Sequence, residues 1–112
     1  MLNRYIIERN MNGVGAGSDQ DFAQMAEKSN EVLSSLGPKI QWLKSFVTKD
    51  KVYCEYLAES EDIVREHAKL GGFPADSVSQ VTHICDPTTA SDDFAELRST
   101  SSFQGNERQQ LS

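Results

Sequence analysis

The stretch IQWLKSFVTKDKVYCEYLAESEDIVREHAKLGG, residues 40–72, decides the fold. Its first part is two runs rich in β-branched and aromatic residues, which read as two strands joined at Asp50-Lys51. If those two residues form the turn, Val47 pairs with Cys54 and Ser45 with Tyr56. Strand alternation then places Leu43, Ser45, Val47, Val52, Cys54 and Tyr56 on one face. Trp42, Lys44, Phe46, Thr48, Tyr53, Glu55 and Leu57 fall on the other. The second part changes period. Ser60 is a good N-cap, and Glu61 and Asp62 follow it in the first turn, where the helix dipole favours acids. Ile63, Val64, His67, Ala68 and Leu70 form an apolar stripe that ends at Gly71-Gly72.

The flanking sequence repeats this plan. Upstream, Phe22, Met25, Ala26, Ser29, Val32, Leu33 and Leu36 recur at helical spacing. Ser18 with Asp21 is a variant of the capping box, and Gly37-Pro38 stops the helix. LNRYIIER, residues 2–9, reads as a strand, and at its end either Glu8 or Arg9 must point inward or to an interface. Between them NMNGVGAGSD, residues 10–19, is rich in glycine but lacks the GxxxxGK spacing of a phosphate loop, so it reads as a flexible connector. Downstream, FPADS is a second connector. VSQVTHIC, residues 78–85, is a last strand that ends at Asp86-Pro87.

The element order is therefore β-α-β-β-α-β, the split βαβ plan of an α+β ferredoxin-like domain. It predicts a four-stranded antiparallel sheet with two helices on one face. The expected domain covers residues 1–87. Residues 88–112 are a polar C-terminal tail, flexible or docked on a partner subunit, in which DDFAELRS, residues 92–99, could form a short helix against an apolar groove. The open sheet face would carry Trp42, Phe46 and Tyr53, a patch that predicts a homodimer with sheets packed face to face.

The chain has 112 residues and a net charge of −6 with no basic stripe, so nucleic acid and anionic membrane surfaces are poor partners. No apolar run approaches the roughly 20 residues of a membrane span. MLNRYIIERNMNG has charges inside its apolar segment, which is not the pattern of an export signal. A cytoplasmic setting follows, and Cys54 and Cys85 are expected as free thiols.

Two residues invite chemistry. His67 lies in the middle of the second helix stripe and points at the sheet. Cys54 lies on the hairpin face assigned to the helices, so the two could meet. Core filling is one reading, since cysteine packs well and a lone buried histidine usually bonds the backbone. A site for a borderline divalent metal such as nickel, zinc or copper is another, and a histidine-activated thiolate is a third. A metal site of this kind should weaken below about pH 6 as imidazole protonates. An enzymatic alternative makes His67 a general base, with Tyr53 or Tyr56 orienting a small substrate. His83 and Cys85 form a further H-x-C pair on one face of the last strand.

The pieces WLKSFVT, YCEY and REHAKLGGFPAD, with YIIERNM before them and DPTTA after, resemble a family of small bacterial proteins. That family is a domain of unknown function credited with nickel binding. The similarity spans residues 2–90. It implies a ferredoxin-like fold, a dimer and a divalent metal cofactor, with nickel the first candidate. The polar positions matching the family's motifs are Glu8, Ser45, Tyr53, Cys54, Glu55 and His67. His67 and Cys54 are the first choices as metal ligands, followed by Glu8, Tyr53 and Glu55. The role so implied is storage, buffering or sensing of the metal.

Overall fold

The computed structural model describes residues 1–91. Residues Met1–Gln80 form one unit, built from β1 (Asn3–Asn10), α1 (Asp19–Leu36), β2 (Ile40–Val47), β3 (Lys51–Ala58), α2 (Glu61–Gly71) and β4 (Ser77–Gln80). The strands make one antiparallel sheet in the order β2-β3-β1-β4. This is the ferredoxin-like α+β arrangement that the alternation and the helical stripes predict.

The helix boundaries follow from local chemistry. Asp21 donates its backbone N–H to Ser18 Oγ at 3.1 Å, and Ser18 N–H bonds Asp21 Oδ2 at 2.9 Å. The capping box at α1 is thus complete even with aspartate in place of the usual glutamate. Gly72 closes α2 with a positive φ of 72°, a conformation that glycine adopts without strain. Alternation then decides the core. Tyr5, Ile7, Val52, Cys54, Tyr56 and Ala58 are buried on one sheet face, where Val64, Leu33, Leu36 and Ile63 pack on them. Leu70, expected in the α2 stripe, is 51% exposed, because it sits one position beyond the arc defined by Val64, His67 and Ala68.

Several features depart from the sequence reading. The hairpin turns at Lys49-Asp50, one residue earlier than Asp50-Lys51, because Thr48 closes it on Lys51 through both backbone and hydroxyl. Val47 therefore pairs with Val52 and Ser45 with Cys54, which keeps the two faces but slides the pairing. Further along, the register shifts between Trp42 and Lys44, so Leu43 is an extra residue, a bulge on an edge strand. The bulge reverses the parity of everything before it. Trp42 stands opposite Tyr56 on the helix side, so of the expected patch only Phe46 and Tyr53 stay on the open face.

The glycine-rich segment is anchored. Met11 N–H and Gly13 N–H donate to Asp50, and Gly15 N–H donates to the Lys49 carbonyl at 3.0 Å, so the segment caps the hairpin tip. β4 is shorter than the VSQVTHIC run. Its last pair is Gln80 with Tyr5, and β1 begins only two residues earlier, at Asn3, so a longer β4 would have little to pair with. Val81–Asp86 carry no regular element, and Pro87–Ala90 make a 3-10 turn capped by Asp86. The possible helix over residues 92–99 lies outside the described residues. No helix among the described residues is long and apolar enough to cross a membrane.

Candidate functional site

β1 resolves the choice between Glu8 and Arg9. Arg9 shares parity with Tyr5 and Ile7, so it points inward and is only 3% exposed. Its guanidinium donates from Nε to Cys54 Sγ at 3.4 Å, from Nη2 to the Tyr56 hydroxyl at 3.4 Å and from Nη1 to the Pro74 carbonyl. It also lies over the Phe73 ring, 5.4 Å from the centroid. No carboxylate among the described residues comes within ion-pairing reach of it. A buried cation without a carboxylate partner is costly, so its position is informative.

Cys54, opposite Ile7 on β1 and Ser45 on β2, receives a second donor. Ser45 Oγ donates to Cys54 Sγ at 2.9 Å, and Trp42 Nε1 donates to Ser45 Oγ at 3.0 Å. The indole N–H can only donate, so Ser45 oxygen accepts from it and its own proton is directed at the sulfur. The bulge at Leu43 is what brings Trp42 into this chain.

These groups form the polar end of a cavity of about 260 Å³ between α1 and the sheet. Phe22, Met25, Trp42, Val47 and Phe73 are among its walls, and Arg9, Ser45, Cys54 and Tyr56 all line it. Apolar walls with a few convergent polar groups are the usual build of a small-molecule site, and this one is at the small end of the range. Burial first, and then the neighbouring Cys54, push the Tyr56 hydroxyl above its ordinary 10, against the pull of Arg9.

His67 is placed differently from the sequence reading. It is fully buried, with Nε2 3.1 Å from Ser29 Oγ, and its ring lies 5.2 Å from Tyr56 and 5.9 Å from Phe73. Its Nδ1 is buried with no hydrogen-bond partner. It is not among the cavity's lining residues. Burial first, then the charge of Arg9, lower its pKa to about 4, against the bond to Ser29. The expected loss of ligand capacity below pH 6 through imidazole protonation therefore does not apply, since His67 stays neutral well below that. Tyr56 links the two first candidates, touching the His67 ring on one hand and sharing Arg9 with Cys54 on the other.

The remaining candidates lie on the opposite sheet face. Glu8 pairs with Tyr53 across β1 and β3, and Glu55 lies beyond it on the same side. Glu55 is held by Arg4 and Lys44, and Glu8 by Lys51 at 3.4 Å. Of the five, Cys54 and His67 are on the helix face and Glu8, Tyr53 and Glu55 on the open one. His83 and Cys85 lose the strand that would have aligned them; Cys85 is exposed. No three His, Cys, Asp or Glu side chains among the described residues gather closely enough to hold a metal ion. The chemistry agrees: the Cys54 sulfur has a guanidinium against it, and the open-face carboxylates are already neutralised. One subunit's described residues do not fit a nickel ion.

Arg9 is the residue that sequence reasoning missed as a site member. The signal was available, since its parity with Tyr5 and Ile7 already directs it to the core. Ser45 and Tyr56 carried weaker hints.

The sheet order, the two helices and the pocket beneath α1 define a small ferredoxin-like α+β domain with a thiol in its cavity. The chain belongs to the family described as nickel responsive protein SCO4226-like, whose model matches residues 5–81. The fold is similar to that of SCO4226 from Streptomyces coelicolor A3(2), known from its crystal structure, with a TM-score of 0.62 and 14% identity over 73% of this chain and 99% of that one. No curated protein matches the chain.

Proposed function

We propose that the protein is a small ligand-binding protein whose cavity takes up a compact organic anion with an apolar body, in a cytoplasmic homodimer. Arg9 carries this reading. A guanidinium buried against apolar walls, with no carboxylate to offset it, is stabilised when a bound carboxylate or similar group supplies the missing charge. Its three protein hydrogen bonds leave N–H donors of the fork uncommitted. Phe22, Met25 and Trp42 would pack on the ligand's apolar part. Isothermal titration with small aromatic and aliphatic carboxylates, on wild type and Arg9→Met, tests it. Saturable binding by wild type that the variant loses, and that neutral amides of the same shape do not reproduce, is the expected result. No saturable binding of any carboxylate would overturn it.

The family description supports a second reading, in which a dimer binds a divalent transition metal, nickel first, for storage, buffering or sensing. Cys54 is the soft donor that favours it. Glu8, Tyr53 and Glu55 lie on the opposite face of the sheet from Cys54 and Arg9 stands beside the sulfur, so a metal on Cys54 would take its further donors from outside this subunit, on the helix side. Titration of metal-free protein with nickel and zinc, on wild type, Cys54→Ser and His67→Ala, distinguishes this reading: saturable binding lost in Cys54→Ser supports it, and none in wild type removes it.

A further inference from the structure

We propose that Cys54 is a nucleophile toward organic hydroperoxides, with Arg9 and Ser45 as the groups that position the reaction and Trp42 orienting Ser45. This rests on the cavity being open to small molecules, as the binding proposal requires.

The geometry carries the argument. Two donors from different strands converge on one sulfur, Arg9 Nε at 3.4 Å and Ser45 Oγ at 2.9 Å. A cationic neighbour and hydrogen-bond donors are the setting in which reactive thiolates occur, whereas a structural buried cysteine sits among apolar groups. The sulfur also lines the cavity, so a small molecule inside it lies within reach. The same donors suit an O–O bond. As sulfur attacks one oxygen, negative charge grows on the other, and a fixed guanidinium and hydroxyl stabilise it without reorganising.

The other common thiolate chemistry is less well served. Acyl transfer needs a base or acid that moves a proton to or from the leaving group. His67 is the only histidine in this unit. It is enclosed and its Nε2 is engaged by Ser29, outside the cavity lining. Attack on a hydroperoxide needs no such group. The Cys54 thiol gives its proton to water, and the thiolate so formed makes an S–O bond to the terminal oxygen of R–O–O–H as the O–O bond breaks. Sulfur gives up two electrons to the departing alkoxide, which takes a proton from water and leaves as the alcohol. Cys54 is left as the sulfenic acid. A small thiol then condenses with it, releasing water, and a second thiol displaces the mixed disulfide and restores the Cys54 thiol. The aromatic and thioether walls favour an organic hydroperoxide over hydrogen peroxide itself.

The test uses the reduced full chain with cumene hydroperoxide, dimedone to trap sulfenic acid, and peptide mass spectrometry of Cys54 and Cys85 in the same sample. Exposed Cys85 is an internal reference, since accessibility alone would make it the faster of the two. Cys54, only 5% exposed, is expected to be labelled about ten-fold faster or more. Ser45→Ala and Arg9→Met should slow Cys54 by on the order of ten-fold or more and leave Cys85 unchanged. Labelling of Cys54 no faster than Cys85, or unaffected by either variant, would overturn the proposal. If Arg9→Met does not fold, as seen by circular dichroism, Ser45→Ala and Trp42→Phe decide the matter in the same way. Carboxylate titration of Cys54→Ser separates the two readings. Binding there without oxidation of wild-type Cys54 sinks the peroxide chemistry alone; absence of both sinks the cavity as a site.

Discussion

Trp42 donates its indole N–H to the hydroxyl of Ser45, 3.0 Å away, and so fixes where that hydroxyl's own proton goes: to Cys54. The relationship depends on the bulge at Leu43, which turns Trp42 from the open face to the helix face. Trp42→Phe keeps most of the wall and removes only the donor. It should cost about 1 kcal/mol of stability, the usual value of one hydrogen bond. Its larger effect should be on Cys54, whose rate with a neutral alkylating reagent should fall several-fold because Ser45 is free to turn away. Urea unfolding and labelling kinetics measure the two effects separately, and an unchanged rate would mean that the indole does not orient Ser45.

His67 makes a pH-dependent contribution whose sign is set by its lowered pKa of about 4 against an unfolded value of 6.5. As pH falls through 6.5 the unfolded chain takes up a proton that the folded one refuses. Stability therefore declines from about pH 6.5 down to about pH 4 and levels off below, by about 3 kcal/mol in all. Phenylalanine has a similar shape, suits the slot between Tyr56 and Phe73, and removes the unpartnered Nδ1. His67→Phe should flatten this acid limb. Denaturation of both proteins at several pH values checks it: their stability difference should move by about 3 kcal/mol in favour of the variant between pH 7.5 and pH 4. A constant difference would show that His67 is not held neutral.

His67→Ala separates packing from ligation. The side chain is fully buried between two aromatic rings, so truncation should cost about 3 kcal/mol through the cavity it leaves. Ligand affinity measured at a temperature where the variant is still folded should remain within about two-fold of wild type, because His67 does not line the cavity. A selective loss of affinity with little loss of stability would instead make His67 part of the site.

Element order, helix caps and the two-face division of the hairpin from Lys44 onward were legible because each rests on a local rule: period 2, period 3.6, Ser60 and Ser18 as caps. The site was legible only in part. Cys54 was found because cysteine carries its chemistry in its name. Arg9 was named with Glu8 as one of two strand-end residues that had to point inward or to an interface, but only Glu8 entered the candidate site, although parity with Tyr5 and Ile7 selects Arg9 as the inward one. Trp42 was out of reach, since one extra residue in an edge strand reverses a face and leaves no mark in composition. The glycine-rich segment read as a free connector because its backbone bonds go to a hairpin tip far along the chain, as the Gly13–Asp50 bond shows with its separation of 37. The nickel link came from resemblance and family, not from any clustering of donors.

Gly15 is where that anchoring has least room. A Cβ there would come within 2.6 Å of the Thr48 carbonyl oxygen and 2.8 Å of Lys49 Cα, both backbone atoms that cannot swing aside. Gly15→Ala should therefore lift the segment from the hairpin and cost about 1–3 kcal/mol, as overpacking generally does. Proteolysis of the 10–17 segment should accelerate in parallel. Equal stability and cleavage in the variant would show that the contact with Thr48 and Lys49 is not maintained in solution.

Phe46 tests the proposed dimer. It is 60% exposed on the open face opposite Tyr53, and with Trp42 turned away it is the main large apolar group presented there by the hairpin. Its neighbours Lys44 and Glu55 form a polar surround, with the Lys44 amine 5.7 Å from the Phe46 ring centroid. An apolar centre with a charged rim is the make-up of an interface, and a two-fold axis would bring one Phe46 near its copy. Phe46→Glu sets like charges against each other there, at little cost to a folded monomer because the side chain is mostly in solvent. Sedimentation velocity should show wild type as a dimer and the variant as a monomer at the same concentration. The cavity is on the other side of the sheet, so carboxylate binding should survive the substitution. A dimer that persists in Phe46→Glu would assign the subunit contact to another surface, and loss of carboxylate binding along with the dimer would mean that the cavity is completed by the partner subunit.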